Sequence, residues 1–368
     1  MRLMRHFCSL IHPFRRFSSG LVGKPVSLGG YPNGLFSEVE SIEKNEVYGA
    51  VALNCQKLNS IPKDSEIFAA GLRQAEYSDW QTVWTKRDNC LLLSPSLAHI
   101  DNNKVCIEAI YGPHKNTDPV WRHQSNSMFR NLSGDFTSIV SRWNQGDNYY
   151  HWFMDGLTRL YHLDTFPTDC RILVPRDLPS YAEHSLKILG LNHRIEETSG
   201  EDLQIERYWF AGPTMLTGCP DPAGTSWIRN RIIPKKTQVP EKLLYVERTA
   251  GTRSCSNSLE LRQFFTKRGW DVVDPGTLTL DQQIDLFASA RLVVGVHGAA
   301  LTNLLWMSPG ARVLELMPSK RRNACYASLA HVIGLHHETM VVNSDRHGKM
   351  SIPLGILEQR VQRIERIL

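Results

Sequence analysis

Along the second half of the chain, short apolar runs alternate with stretches of helical spacing. Arg171–Val174, Tyr208–Ala211, Leu243–Glu247, Trp270–Val273, Leu292–Val296, Arg312–Leu316 and Glu338–Val342 predict strands. Between them, Ser180–Leu189, Trp227–Ile233, Asn257–Arg268, Leu280–Ala290, Arg322–Ile333 and Pro353–Leu368 predict helices. Ser256 or Asn257 is the expected cap of the third helix and Thr279 that of the fourth. Leu292–Val296 is β-branched and continuously apolar, as in a strand buried on both faces. Strands alternating with helices imply an α/β fold with a parallel sheet covered on both sides. The stretch from Pro234 to Pro240 is the best linker, so two such units are expected.

Earlier in the chain the pattern is weaker. Val47–Leu53, Cys90–Leu93 and Val105–Tyr111 look like strands, and no catalytic pattern stands out before residue 120. Residues 149–163, YYHWFMDGLTRLYHL, predict a helix that is apolar nearly all round and therefore buried. On a regular 3.6-residue repeat His151, Asp155 and His162 share one narrow face, with Arg159 beside it. A polar stripe on a buried helix requires partners or a wet cavity.

Residues 291–318, RLVVGVHGAALTNLLWMSPGARVLELMP, read as strand, tight turn, helix, loop and strand. The small-residue turn His297–Gly298–Ala299–Ala300 lies between a buried strand and a helix N-terminus, where backbone N–H groups are left for a phosphate. Glu315 falls near the C-terminal end of the second strand, the edge at which open α/β sheets bind ligands.

Composition limits the functional classes. The chain has 368 residues, 42% hydrophobic and 21% charged, with net charge +5. That is a two-domain globular chain, and no Lys/Arg block points to nucleic acid. The eight cysteines contain no CxxC pair, which argues for reduced structural thiols and a cytoplasmic location. No apolar run reaches transmembrane length. The basic, amphipathic N-terminus, MRLMRHFCSLIHPFRRF, fits peripheral contact with an anionic membrane surface, a transit peptide, or a loosely ordered lead-in.

Three places resemble glycosyltransferase family 61, whose members include O-linked N-acetylglucosaminyltransferases, xylan xylosyl- and arabinosyltransferases and capsule-type polysaccharide proteins. They are NYYHWFMDGLTRL at 148–160, the stretch from Tyr245 to Glu260, and the long block that ends at Pro318. Thr158 and Ser258 stand where the family usually has Pro and Glu. The resemblance implies a GT-B fold, with two Rossmann-like domains facing across a cleft. Residues 1–236 would form the acceptor and catalytic-base domain and 237–352 the nucleotide-sugar-binding domain. Residues 353–368 would form a helix packing back on the N-terminal domain. It also implies an inverting transferase with a nucleotide-sugar donor, UDP being the family-based expectation, and a glycan or polysaccharide acceptor.

The chemistry has two requirements, a stabilised leaving diphosphate and a base for the acceptor hydroxyl. No Asp-x-Asp motif is present, so no divalent metal or other cofactor is expected. The turn Gly298, Ala299 and Ala300, with His297, Arg248 and Arg253, is the expected substitute. Asn257 and Asn303 are further donor-site candidates, and Glu315 is the candidate for the ribose hydroxyls. His151 and Asp155 are the candidate base pair, with either residue as the base. Arg142, Asn144 and Arg159 are placed in the same cleft. A nucleotide-sugar epimerase of the same fold and a non-catalytic sugar-nucleotide-binding protein are the other readings.

Overall fold

The computed structural model describes residues 38–40, 49–52, 81–101, 104–106, 129–141, 144, 148–211, 218, 220–233, 239–248, 254–320 and 323–368. The expectations for the N-terminal lead-in, Arg142, Arg253 and the distal part of Val105–Tyr111 lie outside these residues. The chain divides into two compact units, with the break between Ile232 and Ile233. Among the described residues no helix is long and apolar enough to cross a membrane.

In the N-terminal unit the described strands are β1 (Glu38–Glu40), β2 (Gly49–Ala52), β3 (Gln81–Leu93), β4 (Ala98–Asp101), β5 (Lys104–Cys106), β6 (Phe129–Ser138), β7 (Arg171–Pro175), β8 (Ile195–Thr198) and β9 (Asp202–Ala211). They form one sheet in the order β1-β5-β4-β3-β9-β6-β7-β8, with β2 also on β3. The sheet is mixed. β9, β6, β7 and β8 are mutually parallel, whereas β3 runs antiparallel to β9. β6 escapes sequence patterning because Gly134 adopts a positive φ and the pairing with β9 shifts between Leu132 and Asp135. Such a bulge breaks the two-residue alternation. Helices α1 (Ser180–Ile188) and α2 (Pro222–Ile232) follow β7 and β9.

The C-terminal unit is the parallel sheet the sequence predicts. Its strands are β10 (Lys242–Val246), β11 (Asp271–Val273), β12 (Ala290–Val296), β13 (Arg312–Pro318) and β14 (His336–Val342), in the order β11-β10-β12-β13-β14. All pairings are parallel. The helices are α3 (Ser258–Thr266), α4 (Leu280–Ala288), α5 (Cys325–Ile333) and α6 (Leu354–Glu365). Thr279 caps α4 in a reciprocal capping box with Gln282. Alternate residues of the strands point to opposite faces. Leu292, Val294, Leu314, Leu316, Met340 and Val342 enter one core with Leu261 and Phe265 of α3 and Leu357, Val361 and Ile364 of α6. The opposite parity, which includes Gly295, Glu315 and His337, faces the other side.

One expectation is corrected here. The terminal helix packs on the C-terminal unit's own sheet, because its apolar stripe completes that core. Trp270 Nε1 donates to Glu365 at 3.0 Å, and Arg268 pairs with Glu358. The described cysteines Cys90, Cys170, Cys255 and Cys325 are free and buried, and burial pushes the Cys170 thiol up to about 12. They are packing residues.

Candidate active site

One candidate cluster, in the N-terminal unit, begins where β6 ends. Asn148 accepts from the N–H groups of Tyr150 and His151 at 3.1 and 3.3 Å, which caps a single α turn, Tyr149–His151. The segment then widens into a π turn at Trp152–Gly156 and tightens into a 3-10 helix at Leu157–Thr165. The cause is local packing. A Cβ on Gly156 would lie 2.1 Å from Asn144 Nδ2, so only glycine lets the Asn144 side chain lie against this turn. Thr158 Oγ1 donates to the Met154 carbonyl at 2.7 Å. Widened turns of this kind recur at functional sites. Trp152 Nε1 donates to Ser185 of α1 at 2.9 Å, which fixes the segment to the unit's body.

His151 Nδ1 and Asp155 Oδ2 are 2.5 Å apart. The His151 side chain keeps a fifth of its surface exposed, while the Asp155 side chain is 6% exposed. Asp155 is thus the inner member that orients the ring, and His151 is the outer one.

The rest of the expected stripe disperses, because the widened and tightened turns break the 3.6-residue repeat. His162 is buried beside Tyr161 and Phe166, with ring centroids at 4.0 and 6.4 Å. Burial, helped by the Arg159 charge, lowers its pKa to about 3, so it is neutral. Arg159 Nε donates to the Ala211 carbonyl at 2.6 Å and its guanidinium lies over Phe210, so it ties this segment to β9 rather than lining a cleft. Asn144 is fully buried and donates to the Ile139 carbonyl at 2.9 Å, a structural position too.

A second cluster, in the C-terminal unit, lies at the carboxyl ends of β10 and β12. These neighbours lie either side of the point where strand order reverses, the crevice in which open parallel sheets bind ligands. Arg248 follows β10, and His297 and Gly298 follow β12. A Cβ on Gly298 would sit 1.8 Å from Arg248 Nη1, so the guanidinium rests directly on this glycine. Leu301 N–H bonds the Gly298 carbonyl at 2.8 Å. The 3-10 helix Ala299–Trp306 starts there, and the first amides of such a helix lack partners within it. Ala299 and Ala300 are half-buried at this end. A guanidinium, an imidazole and helix-terminal amides are groups whose chemistry suits an anion.

His297 is held from behind. Its Nδ1 lies 2.5 Å from Glu315 Oε1, and His337 Nε2 lies 2.9 Å from Glu315 Oε2. Burial pushes the Glu315 carboxyl up, but the charges and hydrogen bonds of His297 and His337 outweigh it and hold the group down at about 2. Glu315 is fully buried and both its oxygens are taken, which corrects the expectation of ribose binding. It positions His297 instead. His337 was missed because the residues are far apart in sequence. The β13–β14 register pairs Glu315 with Thr339, which puts His337 on the same face, two residues away.

Two further donor-site candidates are corrected. The Asn257 amide clasps the backbone of Ile352, accepting at 3.0 Å and donating at 2.9 Å, and so anchors the entry to α6. Asn303 donates to Gln283 at 2.8 Å and accepts from Trp306 Nε1 at 3.0 Å, locking the 3-10 helix to α4. Both amides are consumed by the fold.

Residues 149–314 match the family model for Glycosyltransferase 61, a span that holds His151, Asp155, Arg248 and His297. The matched stretch, 166 of 368 residues, is similar to glycosyltransferase family 61, and the match supports glycosyltransferase activity. No curated protein matches it at a significant level.

Proposed function

We propose that the protein transfers a sugar from a nucleotide-sugar donor, a UDP-sugar by family resemblance, to a hydroxyl of a glycan or polysaccharide. The proposed reaction inverts the anomeric centre, uses a general base and runs without a metal ion, on a GT-B plan with donor and base on different units. The observation that carries the donor half is the Arg248 guanidinium lying on Gly298 beside His297.

The acceptor hydroxyl gives its proton to His151 Nε2 as its oxygen attacks the anomeric carbon from the face opposite the diphosphate. Asp155 holds Nδ1 and stabilises the imidazolium that forms. The bond from the anomeric carbon to the diphosphate oxygen breaks, and the electron pair leaves with the diphosphate. Arg248, His297 and the amides of Ala299 and Ala300 meet that charge, the task a metal performs in other transferases. The transition state resembles an oxocarbenium ion, as in glycoside hydrolysis.

The test is titration calorimetry with a panel of nucleotide sugars, followed by NMR of the anomeric proton of the product. The expected result is binding of one donor class with chelator present and a product of opposite anomeric configuration. Retention of configuration, or a donor isomerised without transfer, would overturn the reading.

A further inference from the structure

We propose that a cavity on the N-terminal unit's sheet is the acceptor subsite, and that it takes a neutral saccharide. This rests on the glycosyl-transfer reading above. The cavity has a volume of about 450 Å³, within the range of small-ligand sites. Its apolar lining comes from Pro95, Leu97, Val140 and Pro175, and Arg176 and Asp177 stand at its exposed rim.

Part of the lining adjoins the segment that carries the base, while Ser94, Gly200 and Glu201 stand beside the start of β9, which pairs with the start of β6. β6, β7 and β8 are parallel, so Val140 beyond β6, Pro175 of β7 and Thr198 of β8 all mark their carboxyl ends. The helical segment bearing His151 and Asp155 starts from that same end of β6 and leads back to the start of β7. Val140 follows Ile139, whose carbonyl accepts from Asn144, and Asn144 packs on Gly156 beside Asp155.

The walls are preformed. Ser94 N–H bonds Asp202 Oδ1 at 2.9 Å, Ser94 Oγ donates to the Gly200 carbonyl at 2.7 Å, and Arg176 N–H bonds the Thr198 carbonyl at 2.9 Å. Two lining residues hold unfavourable backbone conformations, Leu97 at φ 49° and Asp177 at φ 58°. Non-glycine residues in this region cost energy and gather at ligand sites.

The charges select the ligand class. Among the described lining residues Arg176 is the cation, and it pairs with Glu197 at 3.7 Å. Asp177 is an anion, and Glu201 is buried with its carboxylate on the Ser199 N–H and near Arg130. Among the described groups the positive charges are matched by carboxylates, which disfavours an anionic ligand. They do offer donors and acceptors for hydroxyls above an apolar floor for the C–H faces of a sugar ring.

The experiment uses saturation-transfer NMR on the full chain with the methyl glycosides of glucose, galactose, mannose, xylose and N-acetylglucosamine, without donor. Asp177→Gly removes the carboxylate and keeps a residue at ease with positive φ, while Ser199→Trp fills the mouth. At least one glycoside should bind the unsubstituted protein, and each substitution should weaken it about tenfold or more. Thermal unfolding and nucleotide-sugar affinity monitor the fold. Equal binding in both variants, or no glycoside bound at tens of millimolar, overturns the proposal. A protein that binds glycosides in this cavity but no nucleotide sugar would sink the donor reading and leave the cavity standing.

Discussion

Replacing Gly298 with alanine isolates the contact on which the proposed donor binding rests. The φ of Gly298 is 170°, extended backbone open to any residue, so alanine is not strained there. The new Cβ would lie 1.8 Å from Arg248 Nη1, against an ordinary contact of 3.4 Å or more. The guanidinium must therefore retreat by about 1.6 Å, beyond the ~0.5 Å spread that a hydrogen bond tolerates. A charge-assisted bond to phosphate contributes roughly 1.5–3 kcal/mol, so donor affinity should fall about 10- to 100-fold. The fold should hold, because the atom displaced is the end of a flexible side chain and Gly→Ala is favourable by about 0.4–1 kcal/mol where the backbone allows it. Calorimetry with the nucleoside diphosphate, beside thermal unfolding, separates the two effects. Arg248→Ala should lose a similar amount, and the double variant no more than the worse single one. A folded Gly298→Ala protein with unchanged affinity would refute the reasoning, as would additive losses.

Other expectations follow from the remaining contacts. Asp155→Asn should lower turnover ~10²-fold or more with donor affinity intact, and unchanged steady-state turnover would remove the pair from catalysis. Gly156→Ala should destabilise the N-terminal unit by about 1–3 kcal/mol, since its Cβ meets Asn144 at 2.1 Å; an unshifted urea midpoint would contradict this. Glu315 has a folded-state pKa depressed from 4.5 to about 2, so its stabilisation is complete above pH 4.5 and lost as pH falls toward 2. Glu315→Gln should therefore cost roughly 3 kcal/mol at pH 7, with the gap closing over that window in urea unfolding; a gap independent of pH would show that the carboxylate is not held as described.

The C-terminal unit was legible because a buried parallel sheet writes itself as apolar runs, and its helix boundaries carry local caps such as Thr279. The positions of His297 and Gly298 were legible for the same reason, since they directly follow a buried strand. What the sequence hid depends on contacts between distant residues. The helix 149–163 reads as regular, yet Asn144 packing on Gly156 and the Thr158 hydroxyl on the Met154 carbonyl divert its path. Glu315 at a strand end reads as a ligand contact until the register of β14 brings His337 beside it. Asn257 and Asn303 look like site residues, but their amides satisfy the backbone of Ile352 and the side chains of Gln283 and Trp306. A short polar side chain beside a glycine-rich turn serves binding or folding, and only its partners tell which.

The central claim is that Arg248, with His297 and the Ala299 and Ala300 amides, takes the leaving diphosphate in place of a metal. Release of nucleoside diphosphate from the bound nucleotide sugar, measured in excess chelator for the unsubstituted protein and for Arg248→Ala, tests it most directly. The account predicts release that chelator does not slow and that falls at least about tenfold in Arg248→Ala. Release abolished by chelator, or undiminished by loss of Arg248, would contradict it.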